Sequence, residues 1–236
     1  MATVDGGPVY ALLRREILTL RLVPGERVSE RSLEPLLGAS RTPIRAALMR
    51  LEAEGLVQRS ERAWRVAPID LAQVRAIIEY REAIETAAVA HAIARASQAD
   101  VARLREIAAS VPGDDEERFL ADGTDFHLGL ALLSGNPFLA EGMASALTRL
   151  IRARWLAARS GPSPERVRDE HEEIVAAIEA RDAGAAAALV VAHARETGER
   201  LTEYLREEQR RLRGRGFTIV DAPADAPARH PARPGA

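Results

Sequence analysis

Between Pro8 and Leu20, apolar residues recur at Val9, Leu12, Leu13, Ile17 and Leu20, the spacing of one face of a helix. The segment VPGERVS then breaks that period with a Pro-Gly turn. A second helix follows in SERSLEPLLG. Pro35 removes the backbone bond to the Arg31 carbonyl there, so this helix is predicted to be short or kinked. In SRTPIRAALMRLEAEGLV, residues Ile44, Ala47, Leu48 and Leu51 obey the i, i+3, i+4, i+7 rule, which makes that side of a third helix core. Thr42 is its expected cap, Pro43 sits where a missing N–H costs nothing, and Gly55 ends it. LVQRS and AWRVA alternate polar and apolar residues and predict two short strands around a charged tip at Glu61 and Arg62. Three helices and a hairpin wing within residues 1–68 predict a winged helix-turn-helix domain. VAPID, with its proline, reads as a linker.

From Leu71 to about Leu212 the pattern is helical and alanine-rich, interrupted at SQAD, VPGDD, SGNP, SGPSP and RDAG. These breaks divide residues 69–213 into six helices. Short connections without a strand signal predict an antiparallel all-α bundle. Residues 214–236 are rich in Pro, Ala and Gly and are expected to form a disordered tail. The fold class is mainly α, a small winged domain followed by a helical bundle.

Composition narrows this picture. The 47% hydrophobic content of 236 residues is enough for two cores. No cysteine is present, which excludes disulfides, thiolate metal sites and cysteine nucleophiles. No apolar run approaches the roughly 20 residues that span a bilayer, and MATVDGGPVY lacks the order of a signal peptide, so a soluble cytoplasmic protein is expected. All 33 basic residues are arginine, each a planar fork suited to phosphate or guanine. The formal net charge of −2 argues against nucleic acid as a partner of the whole chain. Its distribution is uneven, because residues 1–70 hold 11 Arg against 9 acidic residues while 71–236 hold 22 against 26. That split permits DNA binding only at the N-terminal end.

Arg41 and Arg45 lie four residues apart, off the apolar side of the third helix, where they share a face. From charge alone they fit a solvated helix surface and a major-groove reader equally. The stretch VPGERVSERSLEPLLGASRTPIRAALMRLEAEGLVQRS resembles the winged-helix domain of the GntR family of bacterial transcription regulators over about residues 8–68. The resemblance implies DNA contacts at Arg31, Arg41, Thr42, Arg45 and the wing tip near Arg62 and Ala63. Ala63 stands where that family usually has glycine.

Three of the five histidines fall on apolar stripes: His127 with Leu120, Leu130 and Ala131, His171 with Ile174, Val175 and Ile178, and His193 with Leu189, Val190 and Leu201. A single histidine on such a face is ordinarily a satisfied core residue. Three in one bundle are explained together by ligation of one divalent ion such as zinc or nickel, with an open fourth position. His91 and His230 carry no such pattern. The segments YREAIETAAVAHA, FHLGLALLSGNP and EHEEIVAAIEARDAGAAAALVVAHA resemble the FCD effector domain of the FadR-type subfamily. The resemblance implies a metal and a small organic acid bound in the bundle, with His127, His171 and His193 as three ligands. The family's fourth ligand position is Gly123 here, and Asp122 and Asp125 lie off that face. Arg81 matches a recurrent arginine and is a candidate partner for an effector carboxylate; its spacing from Glu85 equally fits an exposed helix pair. Arg149, Arg152 and Arg154 cluster on one helix, and Arg152 is a further candidate for the effector pocket.

The expected function is a homodimeric transcription regulator of the repressor type. It would bind a pseudo-palindromic DNA operator under the control of a small carboxylic acid and a divalent metal, with no membrane role and no catalysis. Two alternatives share the histidine centre: a metal-dependent hydrolase and a regulator that senses the metal itself. Against the hydrolase, no H-E-x-x-H motif occurs, and Glu170 and Glu172 are expected to point away from the stripe that carries His171.

Overall fold

The computed structural model describes residues 6–60, 63–109, 126–158, 164–212, 214 and 216–221. The N-terminal domain contains α1 (Gly6–Leu18), β1 (Arg27–Val28), α2 (Glu30–Leu37), α3 (Arg41–Ala53), β2 (Val57–Ser60) and β3 (Ala63–Val66). Its antiparallel sheet has the order β1-β3-β2, one strand more than the hairpin expected from the sequence. The extra strand is only two residues long, too short for its alternation to show. Leu13, Ile17, Ile44, Leu48 and Leu51 have no exposed surface and form the centre of this domain. Each such side chain contributes roughly 1.5–3 kcal/mol relative to exposure.

Helix α2 is capped by reciprocal Ser29 and Ser32 bonds, runs through Pro35 and stops at Gly38 in the left-handed conformation. The helix is eight residues long and ends at Gly38, and the proline inside it does not displace its capped start. At α3 the N-cap is Ser40 and not Thr42, and Ser40 makes no side-chain cap bond. Pro43 becomes the third helical residue, still among the four N–H groups that lack a helical partner. Positive φ at non-glycine positions occurs, among the described residues, at Leu20 and Arg181. Ala63 is thus ordinary strand and carries no strain. The other wing-tip residue expected at DNA, Arg62, lies outside the described residues.

After β4 (Ile69–Asp70) come α4 (Leu71–Arg95), α5 (Gln98–Ala109), α6 (126–133 within the described residues), α7 (Pro137–Ala158), α8 (Pro164–Glu179) and α9 (Ala183–Arg211). These are the six helices expected. The Asp70 and Asp182 carboxylates cap α4 and α9. Helices α4 and α9 pack closely along their length, because Gly198 admits Ile78: a Cβ there would fall 2.6 Å from Ile78 Cγ2. None of the described helices is long and apolar enough to cross a membrane.

Two expectations are corrected. VAPID is not merely a linker, since it contains β4, and the tail assigned to 214–236 begins with ordered structure. Strand β5 (Ile219–Val220) pairs in parallel with β4, and Ile219 is buried against Ile69, Leu71, Leu201 and Leu205. Residues 222–236 lie outside the described residues. The two domains also share a core, because Ile151 of α7 is buried in the N-terminal cluster.

Candidate nucleic-acid interface and buried histidine centre

Arg31, Arg41, Thr42 and Arg45 are all exposed on α2 and the first turns of α3. Thr42, free of a capping role, presents its side chain to solvent. The arginines of α3 face acids of α2. Arg45 donates through Nε and Nη2 to the two Glu30 oxygens at 2.6 and 2.9 Å, and Arg41 Nε lies 3.3 Å from Glu34 Oε1. The Arg45 hydrogen bond holds the Glu30 carboxyl below its usual range. Such exposed pairs are weak in water and are exchangeable for phosphate or a guanine edge.

The second site is sealed. His127 on α6, His171 on α8 and His193 on α9 are 2%, 7% and 4% exposed, and a ring nitrogen from each lies within 4.8 Å of the others. Among the described residues, His171 Nε2 and His193 Nε2 are buried without a hydrogen-bond partner, and His127 Nδ1 makes no well-aligned bond although Glu85 is beside it. Phe126 stacks on His171 with ring centroids 3.8 Å apart and closes one side. Burial, reinforced by the positive charge of Arg81, lowers His127 to about 3; burial also pushes His171 far down. Both rings are therefore neutral at pH 7, the state in which an imidazole ligates a metal.

Arg81 and Glu85 of α4 form the ion pair that their spacing allows, Nε to Oε1 at 2.6 Å, but the pair is buried and not exposed. Burial raises the Glu85 carboxyl, and Arg81 together with His127 outweighs this and holds it at about 2. His127 Nδ1 stands 3.1 Å from Glu85 Oε1. Arg81 Nη2 and Glu85 Oε2 have no hydrogen-bond partner among the described residues. Arg154 joins this group: burial lowers its guanidinium to about 10, and it acts electrostatically on Arg81, Glu85 and His171. It remains charged at neutral pH. Of the three arginines noted on α7, Arg154 reaches the centre and Arg152 does not. Arg152 Nη1 donates to the Ala67 carbonyl at the domain junction, because its position on the helix turns it toward the N-terminal domain.

Glu170 contributes to the centre through a neighbouring helix. It faces away from the His171 stripe but toward α9, where its Oε2 lies 2.8 Å from His193 Nδ1. Arg166 donates to it at 3.0 Å. The bond to His193 is the largest influence holding Glu170 at about 2. A carboxylate on Nδ1 orients the His193 ring so that Nε2 faces the centre. A single helix stripe could not reveal this contact, since it is made to a different helix. Gly123, Asp122 and Asp125 lie outside the described residues.

A winged helix-turn-helix with arginines at the head of its third helix, joined to a closed helical bundle with a polar centre, has the architecture of a one-component transcription regulator. The chain belongs to the GntR family: the family of bacterial regulatory proteins, gntR, matches residues 7–65 and the FCD domain matches residues 76–196. An uncharacterized HTH-type transcriptional regulator in an unstable DNA locus of Streptomyces ambofaciens is 34% identical over 190 residues, 79% of this chain and 80% of that protein. The HTH-type transcriptional repressor RspR of Escherichia coli K12 is 26% identical over 204 residues, 84% of this chain and 90% of its own. Among solved structures, E. coli McbR/YncC shares the fold with a TM-score of 0.68 at 23% identity, covering 86% of this chain and 99% of its own. A GntR regulator from Rhodococcus sp. RHA1 does so at 0.67 and 21%, covering 84% and 97%. The protein is a DNA-binding transcription regulator with an FCD effector domain, and not an enzyme, which removes the hydrolase alternative.

Proposed function

We infer that the protein is a repressor that binds a pseudo-palindromic operator as a homodimer and responds to a small carboxylic acid held with a divalent cation in the histidine centre. The observation that carries this reading is the convergence of three buried imidazoles, with His171 Nε2 and His193 Nε2 lacking hydrogen-bond partners among the described residues. Leaving them so costs several kcal/mol, which a ligand recovers. His127, His171 and His193 would hold the cation, which supplies an electrophilic anchor for a carboxylate oxygen. Beside it, the unpartnered Arg81 Nη2 offers a donor to a carboxylate, and the charges of Arg81 and Arg154 exceed that of Glu85, which favours an anion.

Helix α7 supports a route to DNA. It carries Arg154 at the centre, Arg152 on the Ala67 carbonyl and Ile151 in the N-terminal core. A ligand that moves Arg154 therefore acts on the same rigid helix that seats the DNA-binding domain, and it shifts DNA affinity by its differential affinity for the two arrangements. Homodimerisation follows from the need to read two half-sites with one helix each. The repressor assignment draws on the similarity to RspR, which is named a repressor.

Native mass spectrometry with elemental analysis of the purified protein, followed by a thermal-shift screen of carboxylic acids with zinc and nickel, tests this reading. A dimer retaining about one metal per chain and stabilised by an acid is expected. Protein free of metal that still responds to an acid would reduce the centre to a metal-free acid site. A DNA affinity that changes with zinc or nickel alone would make the metal itself the signal.

A further inference from the structure

The segment that follows α9 ends on the DNA-binding domain. Thr218 N donates to the Pro24 carbonyl at 2.8 Å, and Ile69 N donates to the Thr218 carbonyl at 3.1 Å. The Thr218 side chain fills the space over Gly25, where a Cβ would lie 2.0 Å from Thr218 Oγ1. Gly25 has φ +90°, so glycine is required there for both backbone and space. Gly25 in turn is tied to the wing, since its N–H donates to the Val66 carbonyl and its carbonyl accepts from Arg65 Nη1, both at 2.9 Å. On the other side the segment is fixed to the helical domain. Gln209 Nε2 of α9 donates to the Ile219 carbonyl at 2.9 Å, and Arg75 Nη2 of α4 donates to Asp221 Oδ1 at 2.6 Å. Between these anchors, β5 pairs with β4 of the connection itself and buries Ile219.

We propose that residues 217–221 are a clasp that fixes the orientation of the DNA-binding domain, which makes Thr218 and Asp221 positioning residues for operator binding. The geometry defines the role. Ile151 and Arg152 of α7 restrain the DNA-binding domain on one side of the 67–70 connection, and a second strand bonded to that connection, to the Pro24-Gly25 turn and to α4 and α9 adds a restraint on the side of the wing. Helix α9 carries His193 and, further along, Gln209. One helix thus joins the histidine centre to the clasp, and the clasp to the wing. This route is separate from α7, and it stands whether or not the centre holds a metal.

The experiment uses DNA selected by the intact protein from a randomised duplex pool. Affinity for it is measured for the full chain, for a chain ending at Leu212, and for the full-length variants Thr218→Gly and Asp221→Arg. Amide hydrogen exchange is followed at Gly25 and Ile69. The chain ending at Leu212 is expected to keep its far-UV circular dichroism, to exchange both amides faster and to bind about tenfold more weakly, as follows if the competent orientation is held about a tenth of the time. The point variants are expected to shift both readouts in the same direction by smaller factors, and they carry the test if the shortened chain fails to fold. Unchanged affinity in all variants would overturn the proposal, and so would faster exchange at Gly25 and Ile69 with full DNA affinity, because the clasp would then close a joint that DNA binding does not feel.

Discussion

Two of the arginine–glutamate pairs in this protein, Arg45 with Glu30 and Arg81 with Glu85, differ in everything except chemistry. On α2 and α3, Arg45 and Glu30 pair with 64% and 19% of their side chains exposed. In the bundle, Arg81 and Glu85 pair at the same 2.6 Å with 3% and 1% exposed. Water screens the first pair and supplies alternative partners, so the arginine is available to DNA. The second pair has no such alternative: each charge stabilises the other, and the atoms left over, Arg81 Nη2 and Glu85 Oε2, create a demand for a polar ligand. One fork is an output because its partner is dispensable. The other belongs to a sensor because its partner is not.

The largest test of that contrast is acid. His127 and His171 titrate below their usual range in the folded chain because burial excludes the charged form. The unfolded chain takes up these protons as pH falls through about 6.5, while folded His127 resists until about 3. Stability is therefore full above about 6.5 and lost as pH falls below it, by up to about 1.4 kcal/mol per pH unit for each imidazole. Glu85, held at about 2, adds a loss in the same direction from about 4.5 downward. Urea denaturation of chelator-treated protein at a series of pH values checks this, and a stability that is flat between pH 6.5 and 4.5 would show that the histidines are solvated.

Next in size is Glu85→Ala, which leaves Arg81 buried and unpaired. It is expected to destabilise the protein by about 3–5 kcal/mol. The matching change Glu30→Ala on the exposed pair should move the melting temperature by no more than about 2 °C. Equal effects in the two melts would erase the distinction between the regions. Glu170→Ala comes third: zinc affinity measured by chelator competition should fall about 10- to 100-fold, the usual loss when a carboxylate that orients a histidine is removed. Unchanged affinity would mean that His193 needs no orientation from Glu170. The smallest structural effect with a clear functional one belongs to Arg45→Ala. Operator binding should weaken about ten- to a hundredfold with helical content unchanged, and an unaltered affinity would remove α3 from the groove.

Much of this architecture was legible in the chain. The apolar period placed α1 and α3, the breaks at SQAD, SGNP and RDAG separated helices of the bundle, and the stripes carrying His127, His171 and His193 are the ones that converge. What the pattern misread were contacts between elements. Arg152, a candidate for the pocket, turns to Ala67; of the two readings of Arg81 the exposed pair with Glu85 fails, because the pair is buried; and Glu170 reaches His193 on a different helix, which its own helix does not signal. The segment after α9 looks compositionally loose, yet its Ile219 and Val220 form one side of a parallel ladder.

The division has a physical cause. Periodicity, caps and breakers act within a few residues along the chain, so the sequence by itself determined which segments are helices and which side of each helix is apolar. Whether a buried charge finds a partner, which nitrogen of a histidine is left open and where a two-residue strand docks all depend on groups far apart in sequence, such as Glu170 and His193 or Gly25 and Thr218. Those pairings have no local signature, and only packing of the tertiary structure decided them.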